Sequence, residues 1–355
     1  MKEAKGLFNY LLIDNWKGDT GRLITVKNLQ KTYKIIKPAE GRFATFKSLV
    51  RPQYEERRAV DGISFTINDG EIVGYIGQNG AGKSTTIKML SGILVPTAGE
   101  VKVNGLTPHK DRREHLQNIG VVFGQKTSLW WDVPVIDSLN ILKQMYQVEE
   151  GRFRKNLEMF TELLDLGPFL NQPVRQLSLG QRVRADLAAA LMHDPKTLFL
   201  DEPTIGVDVV AKERLREFIT EINKERGVSV LLTTHDVIDM EKLVDRVMVI
   251  NAGHLIYDGD INGLRERYGT QRRMELRFEG DLPVVSLPEV TTEILEDGRL
   301  AVVFDQHKYM ADEVIFHLRR SGSPIRDILI RDADIEQIVR DIYQEGKSEE
   351  EMKIF

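Results

Sequence analysis

The sequence predicts an α/β fold centred on a parallel β-sheet that carries a phosphate-binding loop, with a small α+β unit added toward the C-terminus. Three observations predict it. The first is Gly77-Gln78-Asn79-Gly80-Ala81-Gly82-Lys83-Ser84-Thr85, the spacing G-x-x-x-x-G-K-[ST], between the apolar residues 71–76 and a helical run that opens at Thr85. The second is Leu198-Phe199-Leu200-Asp201-Glu202-Pro203, an apolar run ending in two carboxylates, as expected of a strand buried on both faces of a parallel sheet. The third is Val230-Leu231-Leu232-Thr233-Thr234-His235, a second buried-strand pattern ending in polar residues, at the end of a strand where sheet ligands bind.

Taken in order, residues 1–21 read as a short, partly apolar leader with Leu7, Phe8 and Trp16. Leu23-Ile24-Thr25-Val26 starts an alternating strand pattern that runs through residues 22–74. Residues 35–58 interrupt it as an insertion in which Phe43, Phe46, Leu49 and Val50 lie at near-helical spacing with Arg42, Lys47 and Arg51 off that face. This suits either an amphipathic helix packed on its own domain or a contact with a membrane partner. In the loop at 77–85 the glycines let backbone N–H groups turn inward toward phosphate oxygens. Lys83 is placed for the β/γ-phosphates and Ser84 for Mg²⁺. The helix that follows offers its N-terminus to an anion. Trp130-Trp131 read as core or interface anchors. Helical stripes at Leu139/Leu142/Met145/Tyr146 and Leu157/Phe160/Leu163/Leu164 fill residues 126–180. Asp201 is placed to hold the Mg²⁺ shell, and Glu202 to orient or deprotonate an attacking water. Past Gly259 the pattern changes. Met274/Leu276/Phe278 and residues 299–304 read as strands, Met310/Val314/Ile315/Leu318 as a helix, residues 325–330 as a strand, and Ile335/Ile338/Val339/Ile342 as a last helix. Together they suggest an accessory domain over 270–355, with no catalytic constellation and an acidic end.

In this order and spacing, the motifs resemble those of the ATP-binding cassette (ABC) ATPases. The resemblance covers roughly two-thirds of the chain and implies a P-loop NTPase core with an antiparallel β subdomain and a helical subdomain, a nucleotide-binding domain over 22–262. It implies roles as well. Residues 77–85 match the Walker A loop, with Gly77, Asn79, Gly80, Gly82, Lys83, Ser84 and Thr85 binding ATP. Residues 198–202 match Walker B, with Glu202 catalytic and Asp201 a metal ligand beside Ser84. Val121-Val122-Phe123-Gly124-Gln125 matches the glutamine loop, whose Gln125 senses metal and γ-phosphate. Leu177-Ser178-Leu179-Gly180-Gln181 matches the signature, with Ser178, Gly180 and Gln181 meeting the partner subunit's ATP. Asp208 matches the D-loop aspartate and His235 the switch histidine. Tyr33 is the candidate for stacking on adenine, with Tyr54 and Phe46 as rivals. The sequence departs from the family at Leu179, where a glycine is usual.

Composition sets the outer limits. The chain has 355 residues, 41% hydrophobic and 29% charged, ordinary globular material with length for two domains. No apolar run approaches the ~20 residues that span a bilayer. Residues 1–6 lack a secretory pattern. No cysteine is present, which excludes disulfides and thiolate metal sites. A formal charge of −5 argues against a general nucleic-acid binder. The resemblance therefore implies an ATP- and Mg²⁺-dependent ATPase subunit of an ABC transporter, most like the ABC-2 exporter group. Its expected place is peripheral, on the cytoplasmic face of the membrane. Expected partners are separate transmembrane subunits and a second ATPase subunit, as homodimer or heterodimer. The alternatives are an importer ATPase or a soluble non-transport ABC ATPase. The long heptad insertions of DNA-maintenance members and the paired cassettes of translation factors are both absent from the sequence.

Overall fold

The computed structural model describes residues 21–36, 54–124, 126–234, 241, 243–244, 246–283, 287–321, 324–331 and 335–352. The apolar stretches of the sequence form a six-stranded sheet: β3 (Ile72–Gly77), β5 (Ile119–Phe123), β6 (Thr197–Asp201), β7 (Ser229–Thr234), β8 (Arg246–Asn251) and β9 (His254–Asp260). The order is β5-β6-β7-β3-β8-β9, parallel except for the β8–β9 hairpin. Every residue of β6 and β7 is buried. That burial explains why their sequences are continuous apolar runs rather than alternating ones.

One sheet face meets a three-stranded antiparallel sheet, β2-β1-β4, built from β1 (Arg22–Ile36), β2 (Tyr54–Asn68) and β4 (Ala98–Val103). Helix α1 (Lys83–Leu90) is sandwiched there, with Ile87, Met89 and Leu90 joining Ile24, Leu29, Val60, Ile67 and Tyr75 in one core. The expected insertion is partly strand, since β1 and β2 continue as a ribbon to the pair Ile36–Tyr54. The stretch that holds Phe43 and Phe46 lies outside the described residues, as does most of the leader.

The other face carries helices. A short α2 (Arg112–Gln117) precedes β5 and packs through Leu116 on the first core, while α3 (Val135–Tyr146), α4 (Glu150–Leu163), α5 (Leu179–Leu191) and α6 (Val209–Arg226) lie on this other face. Leu139, Phe153, Phe160, Leu187, Phe218 and Ile222 belong to the core that they share with the sheet. Trp130 and Trp131 stay exposed, with the Arg182 guanidinium 4.8 Å from the Trp131 ring. After α7 (Ile261–Tyr268) comes a four-stranded antiparallel sheet, β11-β12-β10-β13: β10 (Gln271–Phe278), β11 (Thr291–Ile294), β12 (Leu300–Asp305) and β13 (Ile325–Arg331). Helix α8 (Ala311–Ser321) covers one face through Val314 and Leu318, against Met274, Leu276, Val302 and Phe304.

The last helix, α9 (Ile335–Met352), does not complete this sheet. Ile335, Ile338, Val339, Ile342 and Tyr343 are buried in the core of the larger unit, beside β8 and α7. The small sheet has its own apolar core with α8. Its other face bears Glu275 ion-paired with Arg273, Arg299 and Arg331.

Candidate functional site

The loop between β3 and α1 projects from the carboxyl end of the sheet. Gly82 sits at φ +112°, and a Cβ there would lie 2.4 Å from the Ala59 carbonyl oxygen. Only glycine lets the loop turn so tightly beneath β2. Lys83 is buried; its ammonium donates to the Gly77 carbonyl at 2.6 Å and the Gln78 carbonyl at 3.4 Å, and pairs with Glu202 at 3.1 Å. The Thr86 hydroxyl donates to the Gly82 carbonyl and lies 3.3 Å from the Tyr75 hydroxyl, fixing the first helical turn against the sheet.

The carboxylates stand at the end of β6. Asp201 accepts from the Ser84 hydroxyl at 3.1 Å and the Thr233 hydroxyl at 2.7 Å. Glu202 adopts φ +53°, a left-handed conformation rare for a side chain with Cβ. Its N–H donates to both the carbonyl and the hydroxyl of Thr233. The turn directs Glu202 onto Lys83 instead of along the strand. Gly124 is pressed against it, since a Cβ there would lie 2.0 Å from the Glu202 carbonyl oxygen. The Gly124 N–H donates to the Asp201 carbonyl at 2.8 Å. The loop after β5 is thereby fastened to the strand end that bears the carboxylates.

These groups open onto a cleft of about 570 Å³ lined by Tyr33, Lys34, Ile35, Arg57, Ala59, residues 78–80, residues 82–85 and Glu202. Tyr33, Asn79, Gly80, Gly82, Lys83, Ser84, Thr85 and Glu202 are thus together, with Gly77 and Asp201 just behind. Tyr54 pairs with Ile36 at the far end of the ribbon and is not among the cleft's lining residues. Phe46, Gln125 and His235 lie outside the described residues.

Sequence reading missed Arg57. It faces Tyr33 across the β1–β2 ladder, and its guanidinium lies 3.7 Å from where a Cβ on Gly80 would stand. The insertion hid that pairing, because it separates the two strands by a stretch with no strand pattern. Thr233, which anchors both carboxylate residues, was visible only as the polar end of an apolar run.

Ser178, Gly180, Gln181 and Asp208 are not among the cleft's lining residues. Ser178 and Gln181 form a reciprocal capping box at the start of α5. Asp208 caps α6 through the Ala211 N–H at 3.0 Å. Gly180 packs beside Ala211 and Asp208, so the two helix starts touch. Leu179, the departure from the usual glycine, is an ordinary first helical residue, and a Cβ on Gly206 (φ +69°) would lie 2.9 Å from its side chain. No left-handed backbone is needed at Leu179.

Residues 60–205 match the profile of the ABC transporter family. The ABC transporter ATP-binding protein NatA of Bacillus subtilis is 32% identical over 221 residues, 62% of this chain and 88% of the relative. The daunorubicin resistance ATP-binding protein DrrA3 of Streptomyces coeruleorubidus is 31% identical over 291 residues, 81% of this chain and 91% of the relative. Among solved structures, a dimeric post-hydrolysis state of the ATP-binding cassette MJ0796 bound to ADP and Pi superposes with a TM-score of 0.57. It is 26% identical and covers 67% of this chain and 98% of that one.

Proposed function

This chain belongs to the ABC transporter ATP-binding proteins, and on that premise we propose how its residues divide the work of an ATPase that drives export through separate membrane subunits. It is an ATP-hydrolysing transporter subunit; the residue roles are our reading. The observation that carries them is Lys83, held by two loop carbonyls and by Glu202 at the mouth of the cleft. Phosphate oxygens would replace those partners around the ammonium. Glu202, relieved of its ion pair, would then accept a proton from the attacking water.

The Ser84 hydroxyl and Asp201 carboxylate, 3.1 Å apart, form a hard-oxygen pair suited to Mg²⁺. Among the described residues no cluster of three or more His, Cys, Asp or Glu could hold a metal. This fits an ion that takes its remaining ligands from phosphates and water. When bound, Mg²⁺ would neutralise charge on the phosphates. Tyr33 would stack on the base and Arg57 would add a second cation near the phosphates. Gln125 and His235 keep their expected roles as a metal and γ-phosphate sensor and as a switch.

Ser178, Gly180, Gln181 and Asp208 do not line the chain's own cleft, which supports a second copy or paralogue laying its signature over this nucleotide. No helix among the described residues is long and apolar enough to cross a membrane. We therefore read a peripheral subunit on the cytoplasmic face, bound to transmembrane partners. The resistance relative that extends over most of the chain favours export.

Three experiments test this. Mg-ATP binding and turnover of Lys83→Ala and Glu202→Gln should separate, the first losing binding and the second only turnover. Mixed dimers of Lys83→Ala with Ser178→Arg should regain activity, because one of the two composite sites is then intact. Wild-type turnover in Glu202→Gln would remove that residue from catalysis. ATP-driven uptake of cargo into inverted vesicles carrying the co-purified membrane partner would mark export, and uptake only into right-side-out vesicles would mark import.

A further inference from the structure

Behind the phosphate loop, on the side away from the cleft, lies a second cavity of about 210 Å³. Ile76, Gly77 and Gln78 form one wall, and Glu336, Val339, Arg340 and Tyr343 of α9 form the other. The C-terminal helix therefore faces, across this cavity, the very residues at which β3 becomes the loop. Val339 and Tyr343 are one turn apart on its buried stripe. Tyr343 is 5% exposed, and its hydroxyl is buried with no hydrogen-bond partner among the described residues. Burial also pushes the phenol's pKa up, so the hydroxyl stays protonated and remains a donor. A buried donor without an acceptor is unfavourable and calls for an explanation.

The facing segment supplies one. The carbonyls of Gly77 and Gln78 accept from Lys83, and nucleotide would draw that ammonium toward phosphate. We propose that Tyr343 is a positioning residue for the phosphate loop, its hydroxyl donating to the Gly77–Gln78 segment once Lys83 turns to bound nucleotide. In this arrangement α9 links the accessory sheet, which precedes it in the chain, to nucleotide affinity. The inference rests on the reading that the 77–85 loop holds ATP.

The test uses the full-length protein. Tyr343→Phe keeps the ring and removes only the oxygen. Without nucleotide its melting temperature should equal or exceed that of the wild type, while its Kd for Mg-ATP rises by about 3- to 10-fold, the worth of one hydrogen bond. In the Lys83→Ala background, measured without nucleotide, the two carbonyls already lack their donor. There Tyr343→Phe should instead lower the melting temperature, a coupling that a residue acting by packing alone would not show. An unchanged Kd in Tyr343→Phe overturns the assignment. So does a Kd rise accompanied by an equal loss of stability in the nucleotide-free wild-type background. Failure of the wild type itself to bind Mg-ATP would instead overturn the underlying reading of the loop.

Discussion

At Glu202 the backbone adopts φ +53°, and its N–H is held by both acceptors of Thr233. Such a conformation costs on the order of 1–3 kcal/mol and persists only where its surroundings enforce it. Here the result is a carboxylate turned onto Lys83. Glu202→Gln keeps this geometry and the cleft, so ATP binding should persist while turnover falls by about 10²- to 10⁴-fold, the usual worth of a positioned proton acceptor. Steady-state kinetics beside equilibrium binding checks it. Arg57→Ala should raise the KM for ATP by about tenfold with little change in kcat, because on the proposed reading it would contact bound nucleotide rather than the reacting water. A third residue sets a pH dependence. His193 stacks on Tyr146 at 3.9 Å, and its Nε2–H donates to the Ile119 carbonyl at 3.0 Å. Burial pushes its pKa down to about 4 from an ordinary 6.5. Between those values the unfolded chain binds the proton and the folded one does not. The stabilising effect is complete above about pH 6.5 and declines as pH falls toward 4, by at most about 1.4 kcal/mol per unit. Melting curves from pH 7 to 4.5 should fall less steeply in His193→Asn.

Among the elements, the buried strands at the site are those that the hydrophobic pattern announces, whereas the end of the β1–β2 ribbon that bears Arg57 is not. The buried run 197–201 and the strand 229–234 could be read because burial on both faces demands unbroken apolar sequence. Strand Thr291–Ile294 could not, because all four of its residues are exposed and no face selects its composition. The loop after β5 shows how elements constrain each other. Gly124→Ala would drive a Cβ to 2.0 Å from the Glu202 carbonyl oxygen. It should displace this loop from the strand end and lower turnover more than ATP affinity, measurable in one titration and one rate. Ser178 caps α5, and its loss should cost about 1 kcal/mol of stability, read as a small drop in melting temperature. At Leu179, where a glycine is usual, the structure has a plain helical turn that needs no left-handed backbone.

For the whole molecule, α9 changes the division of the chain. A chain ending at Arg331 would remove Ile335, Ile338, Val339, Ile342 and Tyr343 from the main core. Each contributes roughly 1.5–3 kcal/mol, and a domain's net stability is only about 5–15 kcal/mol. The shortened chain should therefore melt far lower or aggregate, as heating and light scattering would show, even though every motif residue remains. The sequence by itself determined the phosphate loop, the paired carboxylates, the order of the strands' apolar runs and the family they belong to. These depend on local spacing and on burial, both of which are written into consecutive residues. Tertiary structure decided that Arg57 enters the cleft, that Thr233 anchors the carboxylates, that the signature does not line the chain's own cleft, and that α9 packs into the main core. An apolar stripe specifies that a helix must be covered, not which surface covers it. Here α8 covers the apolar core of the accessory sheet, and α9 joins the core of the larger unit.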